Sequence, residues 1–588
     1  MMQDSTIGRI QLLERQVATA GSDTTLATEC LECLLKPEYG DLGRISRLLG
    51  KTTGSGDPVS QSPDTDTDFY HYAAKHWIIH LVAIPLPSAR LVELTVRFLT
   101  SVQFCYWAEF SVKDPGDIQA IRSADYDLRR WSKSLPDSLS GQLKVEEYFE
   151  TPYTTLHAQY TNYEDDELPQ WLTLMRLGAY YFDQGSTSKM GDVRTRAANG
   201  LAQLLGKCNP TTLQARADAA YAPLLKGDAL KAHDIYVHVA QDQQSFSKGG
   251  SRLSYYKTLV SQGQAEYLMS KYTSALATLS RSSSWFLQEK GDKSNYYLTA
   301  HLWQSLVVSA KNGLEEAIKS LEEIREKREQ RYGRLDGFAN TVRIILGDLY
   351  RRAGSYDQSI RNAESGLHFR EQVRPFSHLA VIDAALRLVI VYRHFGLADR
   401  ALKLLVKVND EGEINQGDKF VQLCQVRHLH SLLLYEGREV SKAIAQLYDF
   451  VTCLDPRQTN RAILWALLDL ALMMRHRNAP GDAELAHLLF GGLVIPQVDD
   501  DDDRERDSDR VLKLAEKALL TFRRESLEEA ERLLHEEGMT WSRPEFLWLP
   551  LGMPAADTTW IAEPGMNDST QRHKFEVAVG RKERPQMP

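Results

Sequence analysis

The run LGKTTGSG, Leu49 to Gly56, carries the Gly-Lys-Thr with which a phosphate loop holds a nucleotide and its magnesium. That chemistry needs a glycine five residues ahead of Gly50, a strand in front and a helix behind. Ile45 stands at the required glycine, and Leu42, Ile45, Leu48 and Leu49 recur at helical spacing. Gly50 therefore reads as the left-handed residue that ends a helix, followed by a flexible loop over 51–68. A second candidate is FYHYAAKHWIIHL, with His71, His76 and His80 around Trp77. His76 and His80 share a helix face, as zinc ligands do, but the Glu that a metalloprotease helix places after the first His is missing. A core helix rich in aromatic rings is the expectation. Cys30 and Cys33 form a lone C-x-x-C with neither a second pair nor a βαβ context, so both are expected in the core. HLH, His428 to His430, places its imidazoles two apart, where they face different ways on a helix; packing is expected there. No nucleophile elbow, carboxylate pair or dinucleotide loop stands in a supporting context. No catalytic residue, cofactor or metal is assigned, and the chain is expected not to be an enzyme.

The elements that must position any site follow from a repeat. Ala275, Ala317, Ser359, Ala401 and Ala443 lie 42 residues apart, within YTSALATL, LEEAIKSL, YDQSIRNA, ADRALKLL and VSKAIAQL. Ala232 and Ala486 extend the series by steps of 43. A fixed period of this size predicts helix pairs stacked into a solenoid, since one pair cannot bury its own apolar face. LGDLYRRAGSYDQSI offers Leu346, Gly347, Tyr350, Gly354, Tyr356 and Ser359, and LVIVYRHFGLADRAL offers Leu388, Tyr392, Gly396, Ala398 and Ala401. LGAYYFDQG adds Leu177, Gly178, Tyr181 and Gly185. Gly178 and Gly347 mark close helix approaches, Tyr350 and Tyr392 wedge between helices, and Gly354 and Gly396 end first helices in left-handed turns.

In these residues the chain resembles the tetratricopeptide repeat (TPR) family, in the 42-residue form of kinesin light chains, from Leu168 to Glu537. The resemblance implies an all-α, right-handed superhelical solenoid of helix-turn-helix repeats, preceded by a smaller helical domain. Eight residues beyond the family's usual 34 add about one turn to each helix. Three repeats depart from the pattern: Gln262 replaces a leucine, Pro223 sits late in a first helix, and His430 and Ser431 occupy tight positions.

Residues 23–150 lack the period. Tyr72, Ala73, Ala74, Trp77 and His80, with LATECLECLL before and RFLTSVQFCYWAEF after, resemble the helical stretch that follows the ATPase module of fungal NACHT-type signalling proteins. The residues before Leu26 are too few for that module. The resemblance thus implies a sensor half without its motor, either a natural truncation or a piece of a longer gene.

The remaining boundaries are an N-terminal helix or tail at 1–22, the array at 168–537 with a disordered acidic insertion at 494–510, and an extended arm at 538–588. The arm carries Trp541, Trp548 and Trp560, which could cap the last repeat. Bulk properties restrict the function. The net charge of −9 offers no basic surface for nucleic acid, and no apolar run is long enough for a bilayer. Six scattered cysteines and a charged N-terminus point to the cytoplasm. The expected function is an interaction scaffold that takes a protein or peptide in the concave groove of the array. Arg351 and Arg352 recur one period on as Arg393 and His394, and Arg475 and Arg477 sit near the equivalent end of a later helix. If they share a face they form a stripe for an acidic peptide or terminal carboxylate; otherwise they are solvated helix ends that favour the dipole. The alternatives are a regulatory part of a NACHT-type ATPase whose motor lies on another chain, or an enzyme with an unfamiliar pocket.

Overall fold

The computed structural model describes residues 22–52, 68–111, 119–143, 148, 150–162, 167–226, 228–245, 252–269, 271–311, 313–333, 336–412 and 420–452, ten positions between 466 and 482, and the pairs 543–544 and 557–558. Ala486, Arg475, the whole acidic insertion and most of the C-terminal arm lie outside the described residues. The described residues are almost entirely helical; the exception is a two-residue antiparallel pairing of Arg543–Pro544 with Asp557–Thr558. No described helix is long and apolar enough to cross a membrane. The chain divides into two compact units.

The first unit comprises Met1–Ala219, Gln241–Ser254 and Gln372–Arg374. Its helices are α1 (Ser22–Leu34), α2 (Leu42–Thr52), α3 (Asp68–Val82), α4 (Ala89–Leu99), α5 (Val102–Ser111), α6 (Gln119–Ser134), α7 (Glu150–Thr161), α8 (Leu168–Asp183), α9 (Thr187–Leu205) and α10 (Pro210–Ala219). Gly50 does not end α2, as its sequence suggests; the helix runs on to Thr52, and no atom crowds the position of a Gly50 side chain. The core is aromatic. Trp77 packs edge-on to Trp107 and Phe98, and the Trp107 indole donates to the Ala74 carbonyl at 2.9 Å. Cys30 and Cys33 are buried as expected, and burial pushes the Cys30 thiol up to about 12, which leaves it inert at neutral pH. Charge is also buried here. Glu109 of α5 takes a bidentate ion pair from Arg176 of α8, at 2.8 and 3.0 Å, and a hydrogen bond from the Tyr153 hydroxyl of α7 at 2.7 Å. Three helices are thereby fixed to one carboxylate.

The second unit comprises Ala220–Ala240, Tyr255–Glu371 and Pro375–Pro588. It opens with a short helix, α11 (Tyr221–Leu225). The preceding helix stops at Ala219, four residues before Pro223, which is where a proline ring clashes with a helical carbonyl. After α12 (Ala229–Ser245) the chain settles into helix pairs: α13 (Arg252–Leu268) and α14 (Tyr272–Lys290), α15 (Asn295–Ala310) and α16 (Leu314–Tyr332), α17 (Gly337–Arg352) and α18 (Tyr356–Val373), α19 (Leu379–His394) and α20 (Ala398–Glu411), α21 (Phe420–Glu436) and α22 (Val440–Thr452). The second helices begin at Tyr272, Leu314, Tyr356, Ala398 and Val440, and the first helices end at Leu268, Ala310, Arg352, His394 and Glu436, each series in steps of one 42-residue period.

The small residues explain the stacking. Ala232, Ala275, Ala317, Ser359, Ala401 and Ala443 are all fully buried. A side chain on Gly347 would meet the Ala363 backbone nitrogen at 3.0 Å, and the Ser359 hydroxyl donates to the Gly347 carbonyl at 2.7 Å across the same contact. The tyrosines bridge repeats: Tyr350 donates to Glu322 and Tyr392 to Glu364, each 28 residues back. First helices of successive repeats pack side by side, α17 on α19 and α19 on α21.

Candidate functional site

The first helix of each repeat ends in the same way. Gly354 and Gly396 adopt φ of 72° and 73°, and the amides of Ser355 and Leu397 close back on the carbonyls of Tyr350 and Tyr392 at 2.8 Å. This turn aims the last two side chains of each first helix toward the neighbouring repeat.

Those last two residues form two rows. The inner row is Ser309, Arg351 and Arg393; the outer row, one residue on, is Ala310, Arg352, His394 and Glu436. Each inner residue bonds the outer residue of the next repeat, 43 positions later. Arg352 donates to the Ser309 carbonyl at 3.1 Å, Arg351 to the His394 Nδ1 at 3.3 Å, and Arg393 to Glu436 at 2.8 Å. Arg351 also donates to Asp348 at 3.2 Å.

The two rows differ in exposure. Arg351 is 2% and Arg393 9% exposed, while Arg352 is half-buried and His394 exposed. The four residues therefore do not share one solvent-facing stripe. Consecutive residues on a helix point about 100° apart, so one of each pair turns inward. The charge inside is compensated locally, Arg351 by Asp348 and Arg393 by Glu436. The surroundings of α19 reinforce this: every residue from Val381 to Arg393 is buried. The solvent-accessible charged or polar side chains of this ladder are Arg352 and His394; the Glu436 carboxylate is mostly buried against Arg393.

Electrostatics distinguish the outer residues. Burial, then the Arg351 and Arg393 guanidiniums, push the His394 imidazole down to about 4, although the residue keeps an exposed surface. It is neutral at physiological pH. Burial raises the Glu436 carboxyl, against the pull of Arg393. Arg477 donates through Nε to Asp482 at 3.1 Å, and the pair is bidentate.

The histidines that suggested metal are otherwise engaged. The His80 Nε2 lies 2.8 Å from the Tyr72 hydroxyl and its Nδ1 2.9 Å from Asp23, so both ring nitrogens have partners. His428 pairs with Asp469, and His430 lies 2.8 Å from the Gln446 amide. Among the described residues no group of three or more His, Cys, Asp or Glu could hold a metal ion. Sequence reasoning missed Asp348 and Glu436, the carboxylates that draw the arginines inward. Their offsets of three and 43 residues from Arg351 and Arg393 were available as a signal once the helix ends were placed.

No protein-family model matches the chain, and no curated protein matches it in sequence. Solved structures do. The nearly identical TPR-like repeats of a Podospora anserina kinesin light chain are similar at 15% identity over 34% of this chain and 93% of that one, with a TM-score of 0.28. A Rap protein complexed with Competence and Sporulation Factor is similar at 12% identity over 68% and 98% of the two chains, TM-score 0.44. Yeast Tom70 is similar at 12% identity over 79% and 99%, TM-score 0.36. The 42-residue ladder of helix pairs makes the second unit an all-α solenoid.

Proposed function

We propose that the chain is a protein–protein interaction scaffold that holds a peptide segment of its partner along the outer row at Ala310, Arg352 and His394. The observation that supports this reading is the repeated 43-residue handhold. It fixes Arg352 and His394 one period apart, which is how a solenoid presents one side chain per repeat to an extended ligand. Arg352 suits a carboxylate, from an acidic side chain or a chain end. His394, held neutral, offers a polar edge without charge. Arg351 and Arg393 act from behind by positioning these two. Arg475 and Arg477 are proposed as further partner contacts on a later repeat.

Replacing Arg352 and His394 together by glutamate tests the proposal. Partner recovered by affinity capture and quantified by mass spectrometry is expected to fall at least tenfold, with the melting curve unchanged. Undiminished capture by a folded double variant refutes it.

We also propose that residues 23–150 descend from the linker of a NACHT-type signalling ATPase, and that the chain acts as the sensor part of such an assembly. Support comes from the motif itself. Ala73, Trp77 and His80 are buried, and Tyr72 bonds His80, so these residues do structural work together. An open reading frame upstream in the genome with a complete phosphate loop is expected; a continuous intergenic stretch there argues against it.

A further inference from the structure

The Tyr72–His80 contact is one link of a longer chain. His80 is 6% exposed and lies between two oxygens, Asp23 Oδ1 at 2.9 Å from Nδ1 and Tyr72 Oη at 2.8 Å from Nε2. A carboxylate can only accept, so Asp23 draws the ring proton to Nδ1 and leaves Nε2 as an acceptor. Nε2 is then the base that takes the Tyr72 O–H. Nucleophile, base and orienting acid stand in the order and at the distances that activate hydroxyls elsewhere. Asp23 comes from α1, while Tyr72 and His80 lie eight residues apart on α3, so the packing of two helices assembles the relay.

We infer that Tyr72 is an activated tyrosine, a site of covalent acylation by activated esters, with His80 as general base and Asp23 as the residue that positions it. In the step, the Tyr72 Oη lone pair attacks the acyl carbon and an Oη–C bond forms. The ester C–O bond breaks with its electron pair leaving on the alcohol oxygen. The phenolic proton passes to His80 Nε2 and from there to solvent. The donor is a neutral acyl compound, because Asp23 sets a negative charge two hydrogen bonds from Oη, which repels a phosphoryl donor. Tyr72 is half-buried, its ring flanked by Phe69 at 6.0 Å and His76 at 4.6 Å, and the exposed Ile79 lies one helical face position further on. The acyl chain therefore meets an apolar surface.

The test treats the full chain with p-nitrophenyl acetate and maps acetylated tyrosines by mass spectrometry, using the exposed Tyr356 as internal standard. Tyr72 is expected to react faster than Tyr356 by on the order of a hundredfold, the usual contribution of a positioned general base. Hydroxylamine is expected to remove the label. His80→Gln is expected to bring Tyr72 down to the rate of Tyr356, and Asp23→Asn to lower it in part, while Tyr356 labelling stays constant. Should His80→Gln unfold the unit, wild-type selectivity for Tyr72 over Tyr356 still decides. A Tyr72 rate no greater than that of Tyr356, or one that a folded His80→Gln variant retains, overturns the inference.

Discussion

Arg438 occupies a position built for glycine. It stands one period after Gly396 and two after Gly354, at the turn that joins the helices of a repeat, and adopts φ of 66°. Its amide bonds the Tyr435 carbonyl at 3.0 Å, as those of Gly354 and Gly396 bond the carbonyls of Arg351 and Arg393. An L-residue in this conformation costs about 1–2 kcal/mol, and glycine gives back about 0.4–1 kcal/mol through the greater freedom of its unfolded chain. Arg438→Gly should therefore stabilise the last repeats by about 0.5–1 kcal/mol. Gly396→Ala should destabilise the preceding turn by about the same amount. Arg438 is exposed, so the loss of its side chain removes no more than about 0.5 kcal/mol of surface interaction and does not reverse the sign. Repeat arrays need not unfold in one step, so a melting temperature is the wrong readout. Native-state hydrogen exchange resolves α21 and α22 directly. The expected change is about two- to five-fold slower exchange in Arg438→Gly and correspondingly faster exchange around α19 and α20 in Gly396→Ala. If Arg438→Gly speeds exchange, or Gly396→Ala leaves it unchanged, the turns are not equivalent and the period does not determine their geometry.

Two further predictions concern buried charge. Glu109→Ala leaves Arg176 and the Tyr153 hydroxyl without their shared acceptor, and should cost about 3–5 kcal/mol in the first unit by urea denaturation; a loss below about 1 kcal/mol would mean solvent reaches the site. His394 titrates at about 4 when folded and near 6.5 when unfolded, so between these values the unfolded chain binds more protons. Stability is complete above about pH 6.5 and falls on acidification toward pH 4, and His394→Gln should flatten that limb of the pH–stability curve.

What the sequence made legible was local and periodic. A glycine that must adopt positive φ, or an alanine where two backbones meet, leaves its mark at one position and repeats it every 42 residues. Thus Gly354, Gly396 and the small-residue series from Ala232 to Ala443 appear in the structure where the spacing puts them. The split of the arginines into two rows needed the helix phase at its last turn, and the carboxylates that decide it, Asp348 and Glu436, carry no distinguishing pattern of their own. Least legible was the first unit. Asp23 meets His80 from 57 residues away, Glu109 meets Arg176 from 67, and the Tyr160 hydroxyl reaches the Leu42 carbonyl across 118. Pairings so distant, made once each, leave no spacing to read. At Gly50 the local signal misled, because a glycine followed by a polar loop resembles a cap even where the helix continues for two more residues.

The division of labour between the two rows can be measured with a photo-crosslinking amino acid placed in turn at positions 351 and 352. Partner protein is expected to be captured from 352, while 351 yields only links within the array. Equal capture from both positions, or capture from 351 alone, would contradict the placement of the binding surface.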